Sequence, residues 1–558
     1  MAKRMAAASV AMALLAGAGG AWARPAAAPA PRLEATIAPG RISKAQNRGE
    51  VRVSVTAQAV DIAAGQTVFN LATAVPGAGR AQPIEDLIAT DAAGLVPLVA
   101  TPGKGWTSNR AVKGELTVRY RLPLENVPPV AGGPPINLRI DGDGLSAEGV
   151  ALIAQPNLKG DYRVALKWDL SGMAPGAAGV SSWGDGDVEL PAGPANRLGH
   201  IVLMAGTIKR TDHGPFSAVW TGQPPFDPVA AMAWTAKLHS WMSGFFQDKT
   251  EPPYRVFMRY NPMNAGGGAA YPHSFLITWG KDVDGDSIKS ILGHEMTHTW
   301  TASDIGKWYS EGNAVFYQEL LPWRAGLMST DAYLAGINET ASRYYTNLLN
   351  DTPEDQVVPR FWEDTRIRVL PYDRGAMYFA VLNGKIKRAS GGKRSMDDLI
   401  LAMINRERAG QPITEAIWLD MLRKEIGQDG PSVHQAMMSG KLIVPESGDF
   451  GPCFRRVTKK IRRFDLGFDP SAIVSPDKII KGLKPGGEAA KAGLRDGDKI
   501  AYGVAMDAVQ GDVTRTLTYQ VTREGKTFSL TYLPRGEAVD AYQWERIAGV
   551  PEAACKSW

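Results

Sequence analysis

His294-Glu295-Met296-Thr297-His298 places two of the chain's seven histidines four residues apart with a carboxylate between them. At about 100° per residue, a helix through this segment gathers His294, Glu295 and His298 within roughly a 100° arc of one face. Two imidazoles one turn apart can grip a single zinc ion, with Glu295 beside them to work on the proton of a water molecule. Ile288, Ile291 and Leu292 fall near the same arc, so this face is directed at a packed core rather than at bulk solvent. Glu311 follows in Trp308-Tyr309-Ser310-Glu311-Gly312, opening a second helix-like run that reaches Leu321. It is the third ligand by this reading. Glu319 competes for that role, and the Trp-x-x-Glu-Gly setting favours Glu311. Two histidines and one carboxylate leave a fourth position for water, which is the arrangement of metal-assisted hydrolysis.

The elements needed to hold this site are legible around it. Residues 227–246 read as a helix, residues 254–260 and 273–279 as strands, and helices dominate from there to about residue 440. Asp286 or Ser287 is the expected cap of the zinc-binding helix. Asp282-Val283-Asp284-Gly285-Asp286 is no calcium loop, because Ser287 stands where that loop needs glycine and Gly293 where it needs a bidentate carboxylate. Earlier, from residue 33 to about 221, short β-type runs such as Val51-Arg52-Val53-Ser54-Val55 alternate with Gly/Pro turns and predict an antiparallel β domain. Asp141-Gly142-Asp143-Gly144 and Gly184-Asp185-Gly186-Asp187 read as tight turns within it.

The whole is a multidomain α+β chain. An N-terminal β domain (24–222) precedes a mainly helical zinc domain (223–446) and a smaller C-terminal β module (453–545). Residues 1–23 read as an export signal. Lys3 and Arg4 are its basic end, residues 5–20 its apolar stretch, and Ala21-Trp22-Ala23 its cleavage site. Loss of Lys3 and Arg4 takes the formal charge from +5 to +3, which is no nucleic-acid signature. No later segment has the run of about 20 apolar residues that a membrane span needs. The basic run Arg455-Arg456-Val457-Thr458-Lys459-Lys460-Ile461-Arg462-Arg463 reads as a solvated strand or linker face. Cys453 and Cys555, the only two cysteines, are expected to pair in an oxidising compartment.

His294-Glu295-x-x-His298-Thr299-Trp300, followed by Trp308-x-x-Glu311-Gly312-x-x-x-x-Tyr317, resembles the glycyl aminopeptidase family, metallopeptidase family sixty-one. It is also similar to the wider group of zinc aminopeptidases with a thermolysin-like catalytic domain. The resemblance runs on through Leu321-Pro322-Trp323-Arg324-Ala325-Gly326, Pro371-Tyr372-Asp373-Arg374-Gly375-Ala376 and Gly391-Gly392-Lys393-Arg394-Ser395-Met396-Asp397-Asp398. It implies His294, His298 and Glu311 as zinc ligands, Glu295 as general base and Tyr372 as hydrogen-bond donor to the oxyanion. A phenol suits that last task because it donates without ionising near neutral pH. Family members carry a Gly-Gly-Gly-Leu-Glu-His-like stretch whose acidic residue holds a substrate's free amino group. Here the stretch is Gly266-Gly267-Gly268-Ala269-Ala270-Tyr271-Pro272-His273, without the acid, so exopeptidase and endopeptidase readings both stand. Gly266, Gly267 and Gly268 can still form a wall along which an extended peptide pairs as a strand.

Asp465-Leu466-Gly467-Phe468, followed by Ala489-Ala490-Lys491-Ala492-Gly493-Leu494-Arg495-Asp496-Gly497-Asp498-Lys499-Ile500, resembles a PDZ domain. The resemblance makes Leu466, Gly467 and Phe468 the loop whose N–H groups receive a C-terminal carboxylate, and a peptide C-terminus the partner at that groove. The expected function is that of an exported zinc peptidase acting on peptides or proteins, of aminopeptidase type and favouring small N-terminal residues. The rival is a non-catalytic PDZ scaffold, which would have no use for a base at Glu295.

Overall fold

The computed structural model describes residues 29–556, apart from residues 128, 130–132, 251, 252, 262 and 264. The export-signal reading of residues 1–23 lies outside the described residues. The N-terminal part is built on a seven-stranded sheet in the order Val188–Pro194, Asp161–Trp168, Arg32–Pro39, Gly49–Ile62, Val112–Leu124, Glu85–Asp91, Gly94–Leu95. In Arg32–Pro39 every second residue is buried, with Leu33, Ala35 and Ile37 turned to the core. The sheet is antiparallel except where Arg32–Pro39 runs parallel to Asp161–Trp168.

The sheet beneath the site has five strands in the order Lys209–His213, Phe216–Trp220, Tyr254–Tyr260, Ser274–Trp279, Gly268–Tyr271. Its three central strands are parallel, and Ser274–Trp279 is buried along its whole length, as a strand covered on both faces must be. The hairpin formed by Lys209–His213 and Phe216–Trp220 lies on the N-terminal side of the boundary expected at residue 222. It nevertheless pairs with Tyr254–Tyr260, a partner that no local pattern could reveal. Helix Pro228–Phe245 covers this sheet. It starts at Asp227, whose carboxylate accepts from the N–H groups of Val229 and Ala230.

Helix Lys289–Thr301 carries the two histidines, and Lys307–Gln318 carries Glu311 in its second turn rather than at its start. The expected cap is corrected as well. Ile288 occupies the N-cap without a side-chain bond, because Asp284 accepts from the N–H groups of Asp286 and Ser287 and closes a separate turn there. Helix Leu370–Ala389 crosses Lys307–Gln318 where Gly312 meets Gly375. A Cβ on Gly312 would come within 2.7 Å of the Gly375 Cα, so both motif glycines serve close helix approach.

The C-terminal module hangs from a two-stranded ribbon, Phe454–Phe464 with Arg535–Arg546. The basic run lies along it, with Lys459 and Lys460 paired to Glu545 and Asp540, so it is a solvated strand face as expected. A three-stranded sheet of Lys499–Ala501, Leu517–Arg523 and Lys526–Tyr532 completes the module. Cys453 and Cys555 form a disulfide, closing the chain over a separation of 102 residues. Among the described residues no helix is long and apolar enough to cross a membrane.

Candidate active site

His294 Nε2 and His298 Nε2 stand 3.2 Å apart, and the Glu311 Oε2 lies 3.4 Å from the first and 3.3 Å from the second. A tetrahedral zinc ion with ligand bonds of about 2.0–2.1 Å separates its donors by about 3.3–3.4 Å. The donor triangle therefore has the size the ion requires, and its chemistry, two nitrogens and one carboxylate oxygen, is a zinc donor set. Among the described residues it is the one cluster of this kind.

The tautomer is set from behind. Ser290 Oγ and Gln318 Nε2 both donate to Glu319 Oε1, which turns the Gln318 carbonyl towards His294 Nδ1 at 3.1 Å. His294 thus carries its proton on Nδ1 and keeps the Nε2 lone pair for a cation. On His298 the Nδ1 is 3.3 Å from Ser310 Oγ. Glu319, the competitor for the ligand role, is placed in this outer layer, and burial pushes its carboxyl up to about 7. Gln318 and Ser310 were not legible as site residues, since neither type marks a metal site. Gln318 does lie two turns after Glu311 on the same helix face. Gly293, against the Gln318 carbonyl, is what lets the two helices touch here.

Glu295 is buried 5% exposed beside the triangle, and burial, helped by the Glu311 charge, raises its carboxyl to about 7. Half-buried Tyr372 sits in the first turn of Leu370–Ala389 with its ring stacked on His294 at 5.9 Å. Burial and the charges of Glu311 and Glu295 drive its phenol pKa upward, so it stays a donor.

All of these side chains face a cleft of about 1390 Å³. Gly266, Gly267 and Gly268 also line it. Gly268 begins the sheet's edge strand Gly268–Tyr271 and lies against Glu295. His273 is a turn residue at φ 50° in the hairpin that ends this strand, away from the cleft lining. The C-terminal module supplies part of the cleft wall through Val504 and Asp507. Asp507 also binds Arg368 through two oxygens, just ahead of the helix that carries Tyr372. Leu466, Gly467 and Phe468 lie elsewhere. Leu466 and Phe468 border a separate cavity of about 270 Å³ shared with Trp362 and Arg366, and the Gly467 N–H donates to Asp465.

No protein-family model and no curated protein matches the sequence. The structure is similar to the crystal structure of an aminopeptidase N family protein from Idiomarina loihiensis, with a TM-score of 0.66 at 16% identity over 94% of this chain and 99% of the other. The chain has that aminopeptidase N fold. An M1 zinc metallopeptidase from Deinococcus radiodurans is similar at a TM-score of 0.48, with 15% identity over 75% of this chain and 95% of that one. Yeast LTA4 hydrolase follows at 0.46, with 13% identity over 75% and 68%. The likeness to the Idiomarina protein extends over nearly the whole chain, so the architecture is one seen before.

Proposed function

We propose that the protein is an exported zinc-dependent peptidase of aminopeptidase type, related to the glycyl aminopeptidases and favouring small N-terminal residues. One observation carries the reading: His294, His298 and Glu311 present three donors at zinc spacing in a cleft that also holds Glu295. Zinc held there supplies Lewis acidity to water and to the substrate carbonyl. Glu295 takes a proton from the attacking water and returns it to the nitrogen of the departing amine, so it ends each cycle as it began. The Tyr372 hydroxyl donates to the carbonyl oxygen as negative charge gathers on it. The free edge of Gly268–Tyr271 aligns an extended peptide across Glu295.

A second reading, cleavage within chains, is favoured by the absence of any carboxylate between Gly266 and Tyr271. Export is supported by the basic and apolar start of the sequence and by the Cys453–Cys555 disulfide, a bond of oxidising compartments. The C-terminal module is read as PDZ-like, with the loop taking a peptide C-terminus through Leu466 and Phe468, since the Gly467 N–H is held by Asp465. The 270 Å³ cavity beside it supports this.

The test is Glu295→Gln with zinc content and turnover measured together, on free and N-acetylated peptides beginning with Gly or Ala. Zinc should remain while kcat falls about 10²–10⁴-fold. Retained turnover rejects the mechanism, and a wild type that cuts the acetylated peptides equally well rejects the aminopeptidase reading in favour of the second.

A further inference from the structure

Beside the cleft, two oppositely charged side chains are buried with polar atoms that lack a hydrogen bond. Strand Arg139–Asp141 turns the side chains of its first and last residues to the same side, where both line a cavity of about 470 Å³. Arg139 is 8% exposed and Asp141 3% exposed. The Arg139 Nε and both carboxylate oxygens of Asp141 have no hydrogen-bond partner among the described residues, nor do the two side chains pair with each other. The two charges act on each other and Arg259 acts on Asp141, but polar atoms buried without a hydrogen bond remain costly. Nearby Arg259 shows the alternative, since it spends its Nη groups on the carbonyls of Pro135 and Asn137.

Most of the remaining cavity wall is apolar, and its Asn47 and Asn126 side chains are already hydrogen-bonded to backbone groups. Tyr260 and Trp279, with rings 4.9 Å apart, line it together with Ile140, Met263 and Tyr502. The indole Nε1 of Trp279 is a further buried donor without a partner. Exposed Lys44 stands at the rim. All three parts of the chain contribute, and Tyr260 and Gly503 also line the active-site cleft, so the cavity adjoins it. The unfilled hydrogen-bonding positions of Arg139 and Asp141 contribute nothing to folding. The two side chains complement a small molecule that carries both charges.

We propose that this cavity binds a zwitterion, a free apolar amino acid or dipeptide, with its ammonium on Asp141 and its carboxylate on Arg139. Molecules of this class are what peptide hydrolysis releases, yet the site's chemistry stands whether or not the chain is a peptidase.

The experiment is calorimetric titration of the full zinc-loaded chain with L-phenylalanine, with acetohydroxamate in excess to cover the metal centre. One saturable site per chain is expected. N-acetylphenylalanine, which lacks the ammonium, and phenylalaninamide, which lacks the carboxylate, should each bind about tenfold or more weakly, the scale of a lost charge-assisted hydrogen bond. Asp141→Asn should abolish the preference over the acetylated compound and Arg139→Met the preference over the amide. The unliganded Tm of each variant reports that it is folded. Absence of saturable binding up to about 10 mM, equal binding of the three compounds, or variants that bind as the wild type does overturns the proposal. Should a variant fail to fold, the comparison of the three compounds on the wild type still decides.

Discussion

Replacing Gln318 by leucine would leave all three metal-binding side chains in place and remove only the carbonyl that holds the His294 Nδ1 proton. Zinc affinity should fall about 10–100-fold, measured by competition with a chelator, while Glu295→Gln keeps the wild-type value. Glu148 makes a second prediction. Burial alone raises its carboxyl from 4.5 to about 7. The folded chain then keeps a proton that the unfolded chain loses near pH 4.5, so stability is full below that pH and declines as pH rises to about 7. The loss is on the order of 3 kcal/mol. Glu148→Gln should flatten this decline in Tm across pH 4.5–7.5, and parallel curves for the two proteins would count against it. At this scale the grouping of His294, Glu295 and His298 was legible because one helix turn sets their spacing, and Glu311 was legible from its Trp-x-x-Glu-Gly setting. Glu148, Gln318 and the true cap were not, since burial and hydrogen-bond partners come from segments far away in the chain.

Glu295 depends on the strand packed over it as much as on its own helix. A Cβ on Gly268 would lie 2.5 Å from the Glu295 Cγ and Oε1, so Gly268→Ala must displace the carboxylate or the strand. We expect kcat to fall about tenfold or more with zinc content unchanged, because small misplacements of a catalytic group are costly. Unaltered kcat would show that the strand gives way freely. The helices and most strands were legible from their period, 3.6 or 2. Pairing was not: the hairpin at Lys209–Trp220 joins the site's sheet because Phe216–Trp220 finds Tyr254–Tyr260 across the fold, and the parallel partner of Arg32–Pro39 lies much farther still along the chain.

For the whole molecule, the Cys453–Cys555 bond closes the C-terminal module on itself. By chain entropy a loop of that length contributes up to about 4–5 kcal/mol, so a Cys453→Ser/Cys555→Ser double variant should unfold at a lower Tm, and dithiothreitol should lower the wild-type Tm similarly. An unchanged Tm in both would mean that the packing of Phe454 and Trp544 against the rest suffices. The pairing followed from there being just two cysteines, whereas the contact of this module with the cleft was invisible in the sequence. That contact includes Asp507 and its neighbours from Gly503 to Arg515, and the module reaches it from the far end of the ribbon Phe454–Phe464 and Arg535–Arg546. Two strands side by side resist stretching and shear but flex readily out of their plane. Residues 465–534 are therefore a head whose place beside the cleft is fixed less by the ribbon than by what it touches there, Asp507 on Arg368 and Thr365 and Gly511 against Glu339.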